Sequence, residues 1–143
     1  MLIKEVMTRN AECTRPTATI RDVAERMKQL NVGSLPVCDN DRLVGIVTDR
    51  DITVRSISEG RDPDLDHVSD VMSPGVTCCF EDQEVQEAAR LMHDGQIRRL
   101  PVLNRDKRLV GIVSLGDLAV QTGDQNLVGA TVAGVSEPSV PCR

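Results

Sequence analysis

Leu43-Val44-Gly45-Ile46-Val47-Thr48-Asp49-Arg50-Asp51-Ile52 returns at 109–118 as Leu109-Val110-Gly111-Ile112-Val113-Ser114-Leu115-Gly116-Asp117-Leu118, an offset of 66 residues. Working outward, residues 6–37 align with 71–102 at an offset of 65. Val6-Met7-Thr8 becomes Val71-Met72-Ser73, Cys13 becomes Cys78, Ala24 becomes Ala89, and Met27 becomes Met92. Leu35-Pro36-Val37 becomes Leu100-Pro101-Val102. The one-residue change of offset falls in two polar stretches, Asp39 to Arg42 and Asn104 to Arg108, where a hairpin tolerates an insertion. Two blocks in register mark an internal duplication.

Each copy reads as strand, helix, strand, strand, helix, a mixed α+β (α/β) plan. Ile20, Val23, Ala24, Met27 and Leu30 lie at helical spacing, with Thr17 or Thr19 placed to cap. Val85, Ala88, Ala89 and Met92 repeat the stripe, and Gly95 suits the helix end. Leu35 to Cys38 and Leu43 to Val47 predict a buried hairpin, and a second helix is expected from about Asp49 to Ser58 and from about Leu115 to Gln121. The first repeat spans 1–59, a Gly/Pro/Asp-rich linker 60–66, and the second repeat 67–121. Halves this small should pack on each other about a pseudo-two-fold axis. The Gly- and Ser-rich tail, 122–143, is expected to be partly ordered at best.

Composition narrows the function classes. A formal charge of −5 argues against a nucleic-acid or anionic-membrane surface, and Phe80 is the single aromatic residue, which removes a base-stacking platform. No apolar run is long enough to cross a bilayer, and MLIKEVMTRN has no apolar signal core, so the expected location is the cytoplasm. Cys13, Cys38, Cys78, Cys79 and Cys142 form no zinc-type spacing, and free thiols are expected; a Cys13–Cys38 disulfide stays open. His67 and His93 do not recur between copies, and no P-loop or G-x-G-x-x-G is present, so no catalytic residue and no metal ligand is assigned.

Thr48 and Ser114 stand where a strand gives way to a helix, with Asp51 and Asp117 three residues on. A hydroxyl caps that helix, its free N–H groups favour an anion, and a carboxylate can accept both hydroxyls of a ribose. The same spacing also occurs as a plain helix start.

With its V-M-T/S leads, L-P-V strands and paired G-I-V-T-D-R-D-I and G-I-V-S-L-G-D-L blocks, the chain resembles the CBS (cystathionine β-synthase) domain family over residues 1 to about 121. The resemblance implies a tandem pair, often dimeric, that senses adenosyl ligands in two clefts. Carried over by position, cleft A takes Thr48, Asp49, Arg50 and Asp51 with Thr77, Phe80, Val85, Arg98 and Arg99. Cleft B takes Ser114, Leu115, Gly116 and Asp117 with Glu12, Arg15, Ile20, Gly33 and Ser34. Cleft A offers three arginines and should be the stronger phosphate site; the alternative leaves Arg98 and Arg99 solvated or paired with Asp94 and Asp49.

The expected function is therefore a non-catalytic regulatory sensor of AMP, ADP, ATP (any magnesium arriving with the ATP), S-adenosylmethionine or NAD. It would act as a homodimer on a separate effector protein. The rival is a ligand-free dimerisation and interaction module acting on a partner protein, in which the same residues only cap helices.

Overall fold

The structure, a computed structural model, describes residues 1–137. The elements in order are β1 (Thr8–Arg9), α1 (Ile20–Leu30), β2 (Ser34–Asp39), β3 (Arg42–Thr48), a short α2 (Asp49–Asp51) running into a π-helical stretch (Ile52–Ile57), then β4 (Cys79–Phe80), α3 (Val85–Gly95), β5 (Arg99–Leu103), β6 (Leu109–Ser114), α4 (Leu115–Thr122) and α5 (Gln125–Ser136). Two compact units emerge. The N unit is Glu12–Val76, and the C unit joins Met1–Ala11 to the chain from Thr77 onward. The V-M-T/S lead of each copy therefore belongs to the unit that holds the other copy's helix and hairpin.

The C unit has a four-stranded sheet in the order β1-β6-β5-β4. Strands β5 and β6 form the antiparallel hairpin, β1 pairs antiparallel with β6 at Thr8–Ile112, and β4 runs parallel to β5. The N unit repeats the plan with the β2–β3 hairpin, flanked by single bridges from Ser73 to Ile46 and from Thr14 to Val37. The repeated glycine of the deciding block follows from this crossing. A Cβ on Gly45 would lie 2.8 Å from the Met72 sulfur, and one on Gly111 would lie 2.6 Å from the Thr8 carbonyl oxygen. The lead passes too close to the strand for any side chain there.

Each unit buries its own core. Ile20, Val23, Leu35, Val47 and Val68 fill the N unit, and Ile3, Met92, Leu100, Val113 and Leu118 fill the C unit. Of the two candidate caps for α1, Thr19 does the work: its hydroxyl accepts the Asp22 N–H at 3.2 Å. Gly95 stays within α3; the helix closes on Gln96 at φ 52°, as α1 closes on Asn31 at φ 55°. The expected helix 49–58 forms, but its second part winds as a π-helix, with Ser58 N–H donating to the Thr53 carbonyl.

The described part of the tail carries a helix. Gly123, at φ 65°, ends α4, and the Asp124 carboxylate then caps α5 by accepting the Leu127 N–H at 3.0 Å. Leu127, Val128 and Val135 of α5 pack on the core, and two small residues that read as loop material, Thr131 and Gly134, are buried, Gly134 against the His93 ring. Residues 138–143, Cys142 among them, lie outside the described residues.

Candidate functional site

The two strand-to-helix turns are built alike. Thr48 (φ −117°, ψ 163°) and Ser114 (φ −115°, ψ 162°) are both extended N-caps. Thr48 Oγ1 accepts the Asp51 N–H at 3.1 Å, while Asp51 Oδ2 accepts the Thr48 N–H at 3.0 Å. Ser114 Oγ accepts the Asp117 N–H at 3.0 Å, and Asp117 Oδ2 accepts the Ser114 N–H at 2.9 Å. Each turn is a reciprocal capping box. One carboxylate oxygen is committed to the backbone, and Oδ1 remains as an acceptor.

The environments of the turns differ. Asp51 is 9 % exposed and has Arg55 Nε 3.8 Å from its Oδ1. That arginine was not among the residues read from the sequence, although its i, i+4 spacing from Asp51 was the available signal. Asp117 is half-buried and has no cationic partner among the described residues. In the N unit the turn sits beside Gly33 and Ser34. Ser34 lies opposite Thr48, and the Asp49 N–H donates to the Gly33 carbonyl at 2.9 Å. In the C unit the same places hold Arg99, opposite Ser114, and Arg98, whose carbonyl accepts the Leu115 N–H at 2.8 Å. Within each unit, therefore, the turn of one expected grouping lies next to the loop of the other grouping.

Arg98 and Arg99 are both exposed, with no ion-pair partner among the described residues. Their suggested partner Asp94 is held by Arg90 at 3.3 Å and by His93 at 3.2 Å. Asp49 instead accepts the Arg50 N–H at 2.8 Å. Glu12 is engaged by Arg26, while Arg15, Arg50 and Thr77 are exposed. Ile20 and Val85 head α1 and α3 as buried core residues. Phe80 is half-buried on β4, with the Arg105 guanidinium 4.3 Å from its ring centre.

The cysteines are free thiols among the described residues. Burial, then the neighbouring Cys13 thiol, pushes Cys38 up to about 12, and burial does the same to Cys79. Both are protonated at neutral pH and poor nucleophiles there. No helix among the described residues is long and apolar enough to cross a membrane.

The family model described as "CBS domain" matches residues 3–57 and 68–121. The chain belongs to the CBS-domain family. It is 38% identical over 138 residues to the CBS domain-containing protein YhcV of Bacillus subtilis (strain 168), covering 96% of this chain and 97% of that one. Among solved CBS structures it is similar to CBSX2 in complex with AMP (TM-score 0.73, 29% identity, 86% of this chain and 98% of that one). It is also similar to the CBS domain pair of protein MJ0100 in complex with 5'-methylthioadenosine and S-adenosyl-L-methionine (TM-score 0.74, 26% identity, 86% and 96%).

Proposed function

We propose that this CBS pair is a non-catalytic regulatory module that binds an adenine nucleotide or a related adenosyl ligand, and that it self-associates. The observation that carries the reading is the hydroxyl–carboxylate turn, present twice in matching geometry with one carboxylate oxygen left to accept from a ribose. The AMP complex of CBSX2 and the methylthioadenosine and S-adenosylmethionine complex of MJ0100 support the ligand class.

The residue groupings drawn from the family belong to this proposal as stated, with grouping A the phosphate site. The exposed, ion-pair-free Arg98 and Arg99 then recognise phosphate, and Asp51 matters more than Asp117. In this reading the ligand acts on an effector protein by binding one conformation or assembly of the pair better than another.

The rival reading, a docking module without a ligand, has one observation in its favour. Reciprocal capping alone accounts for Thr48, Asp51, Ser114 and Asp117 as helix-starting residues. A thermal-shift panel separates the two readings, using AMP, ADP, ATP with magnesium, S-adenosylmethionine, NAD and guanosine nucleotides. A ligand at a hundred times its dissociation constant adds about 2.7 kcal/mol, or roughly 5–10 °C at this size. A rise with adenine ligands alone, reduced in Asp51→Ala, supports the sensor; no rise with any of them supports the docking module. Turnover of ATP or AMP by the pure protein would defeat the non-catalytic part.

A further inference from the structure

The N unit brings together two thiols that the duplication does not repeat. Thr14 pairs in parallel with Val37, as Cys79 pairs with Val102 at the matching positions of the C unit. The Thr14 N–H donates to the Pro36 carbonyl at 2.9 Å, and the Cys38 N–H donates to the Thr14 carbonyl at 2.8 Å. Side chains alternate along paired strands, so Cys13, just before Thr14, and Cys38, just after Val37, share a face. Their thiols meet there in a side-chain hydrogen bond. In the C unit the same two places hold Cys78 and Leu103. Leu103 is 7 % exposed and Cys38 is 4 % exposed, so an aliphatic side chain fills this site in the copy and packing alone does not call for sulfur.

We propose that Cys13 and Cys38 form a redox pair, in which Cys13 meets an oxidant and Cys38 resolves it into an intramolecular disulfide. Cys13 is half-buried in irregular backbone, whereas Cys38 is buried in β2. Burial keeps the Cys38 thiol protonated, which gives it the second step. With a low-molecular-weight disulfide as oxidant, the Cys13 thiolate attacks one of its sulfurs, breaks the S–S bond and releases one thiolate. The Cys38 sulfur then attacks the Cys13 sulfur of the mixed disulfide, passing its proton to the released thiolate. The second small thiolate leaves and takes up the proton that Cys13 had lost. One small disulfide is thereby reduced to two thiols, and the two cysteines are oxidised to one cystine. The irregular backbone before Thr14 can supply the approach from hydrogen-bonded thiols to the roughly 2 Å of an S–S bond. The bond fastens the segment carrying Glu12 and Arg15 to β2, a closure that the Cys78 and Leu103 of the C unit cannot form.

The full chain, first reduced, is equilibrated with a graded series of reduced and oxidised glutathione mixtures. Alkylation traps the thiols, mass spectrometry reads the linked peptides, and circular dichroism confirms that each variant is folded. The expected product is a link within one chain between the Cys13 and Cys38 peptides. It should be half-formed at a glutathione ratio at least about tenfold more reducing than in urea, because the fold raises the effective concentration of one thiol at the other. Cys38→Leu, which copies Leu103, should instead hold glutathione on Cys13. Cys13→Ser should leave Cys38 unmodified, and Cys78→Ser should leave the link unchanged. A folded wild type whose Cys13 and Cys38 stay unlinked at every ratio, or link no more readily than in urea, would overturn the pair. Glutathione on Cys38 in Cys13→Ser, with none on Cys13 in Cys38→Leu, would overturn the order of the two steps.

Discussion

The N unit and the C unit start from the same strand–helix plan and diverge at two places: what covers the helices, and what stands beside the ligand-type turn. In the C unit α5 seals the helical face, and two arginines flank the Ser114 turn. In the N unit the face is open, and Gly33 and Ser34 flank the Thr48 turn. A duplication fixes the backbone through the repeated apolar stripe and glycine, and leaves the surface free to specialise. Matched positions are therefore internal controls for each other.

Burial sets the largest expected contrast. Leu118→Ala removes a fully buried side chain and should cost about 3 kcal/mol, whereas Ile52→Ala, at the half-exposed matching site, should cost about 1 kcal/mol. Urea unfolding measures both, and equal costs would break the claim that α5 distinguishes the faces. Next comes Gly134→Ala, whose Cβ would stand 2.1 Å from the His93 ring. Overpacking should cost about 1–3 kcal/mol, and adding His93→Ala should recover most of it.

The caps should differ little between units. Thr48→Ala and Ser114→Ala each lose a hydroxyl that accepts a backbone N–H, at about 1 kcal/mol apiece. A clearly unequal pair of losses would show that the turns are alike in geometry only. The remaining effect appears only in alkali. Burial holds the Cys38 and Cys79 thiols up at about 12, against about 8.5 for an unfolded thiol. A raised folded pKa leaves this contribution intact below the unfolded value and removes it as pH climbs towards the folded one. Stability should therefore decline between about pH 8.5 and pH 12, and less steeply in Cys38→Leu, which copies Leu103 of the other repeat.

These contrasts also mark what sequence could convey. The hairpins, the stripes of α1 and α3, and the Thr48 and Ser114 caps were legible because each rests on spacing within a dozen residues. The exchange of V-M-T/S leads between units was not legible, since it is a long-range pairing with no local signal; the glycines at 45 and 111 record it only once the partners are known. Helix α5 escaped because its fully buried residues, Thr131 and Gly134, are small ones that suit close approach and read as loop composition, while Leu127, Val128 and Val135 are only half-buried beside them. Arg55 beside Asp51 was in reach of a simple helical-spacing argument.

Isothermal titration of AMP into the wild type, Asp51→Ala and Asp117→Ala asks whether the paired turns bind an adenosyl ligand. Both variants lose a cap, so heat of binding is compared, and folding is checked separately. Saturable AMP binding by the wild type is expected, weakened at least about tenfold by Asp51→Ala and less by Asp117→Ala, the fold-change of one lost charge-assisted contact. No binding of AMP by the folded wild type, or binding untouched by either substitution, would contradict it.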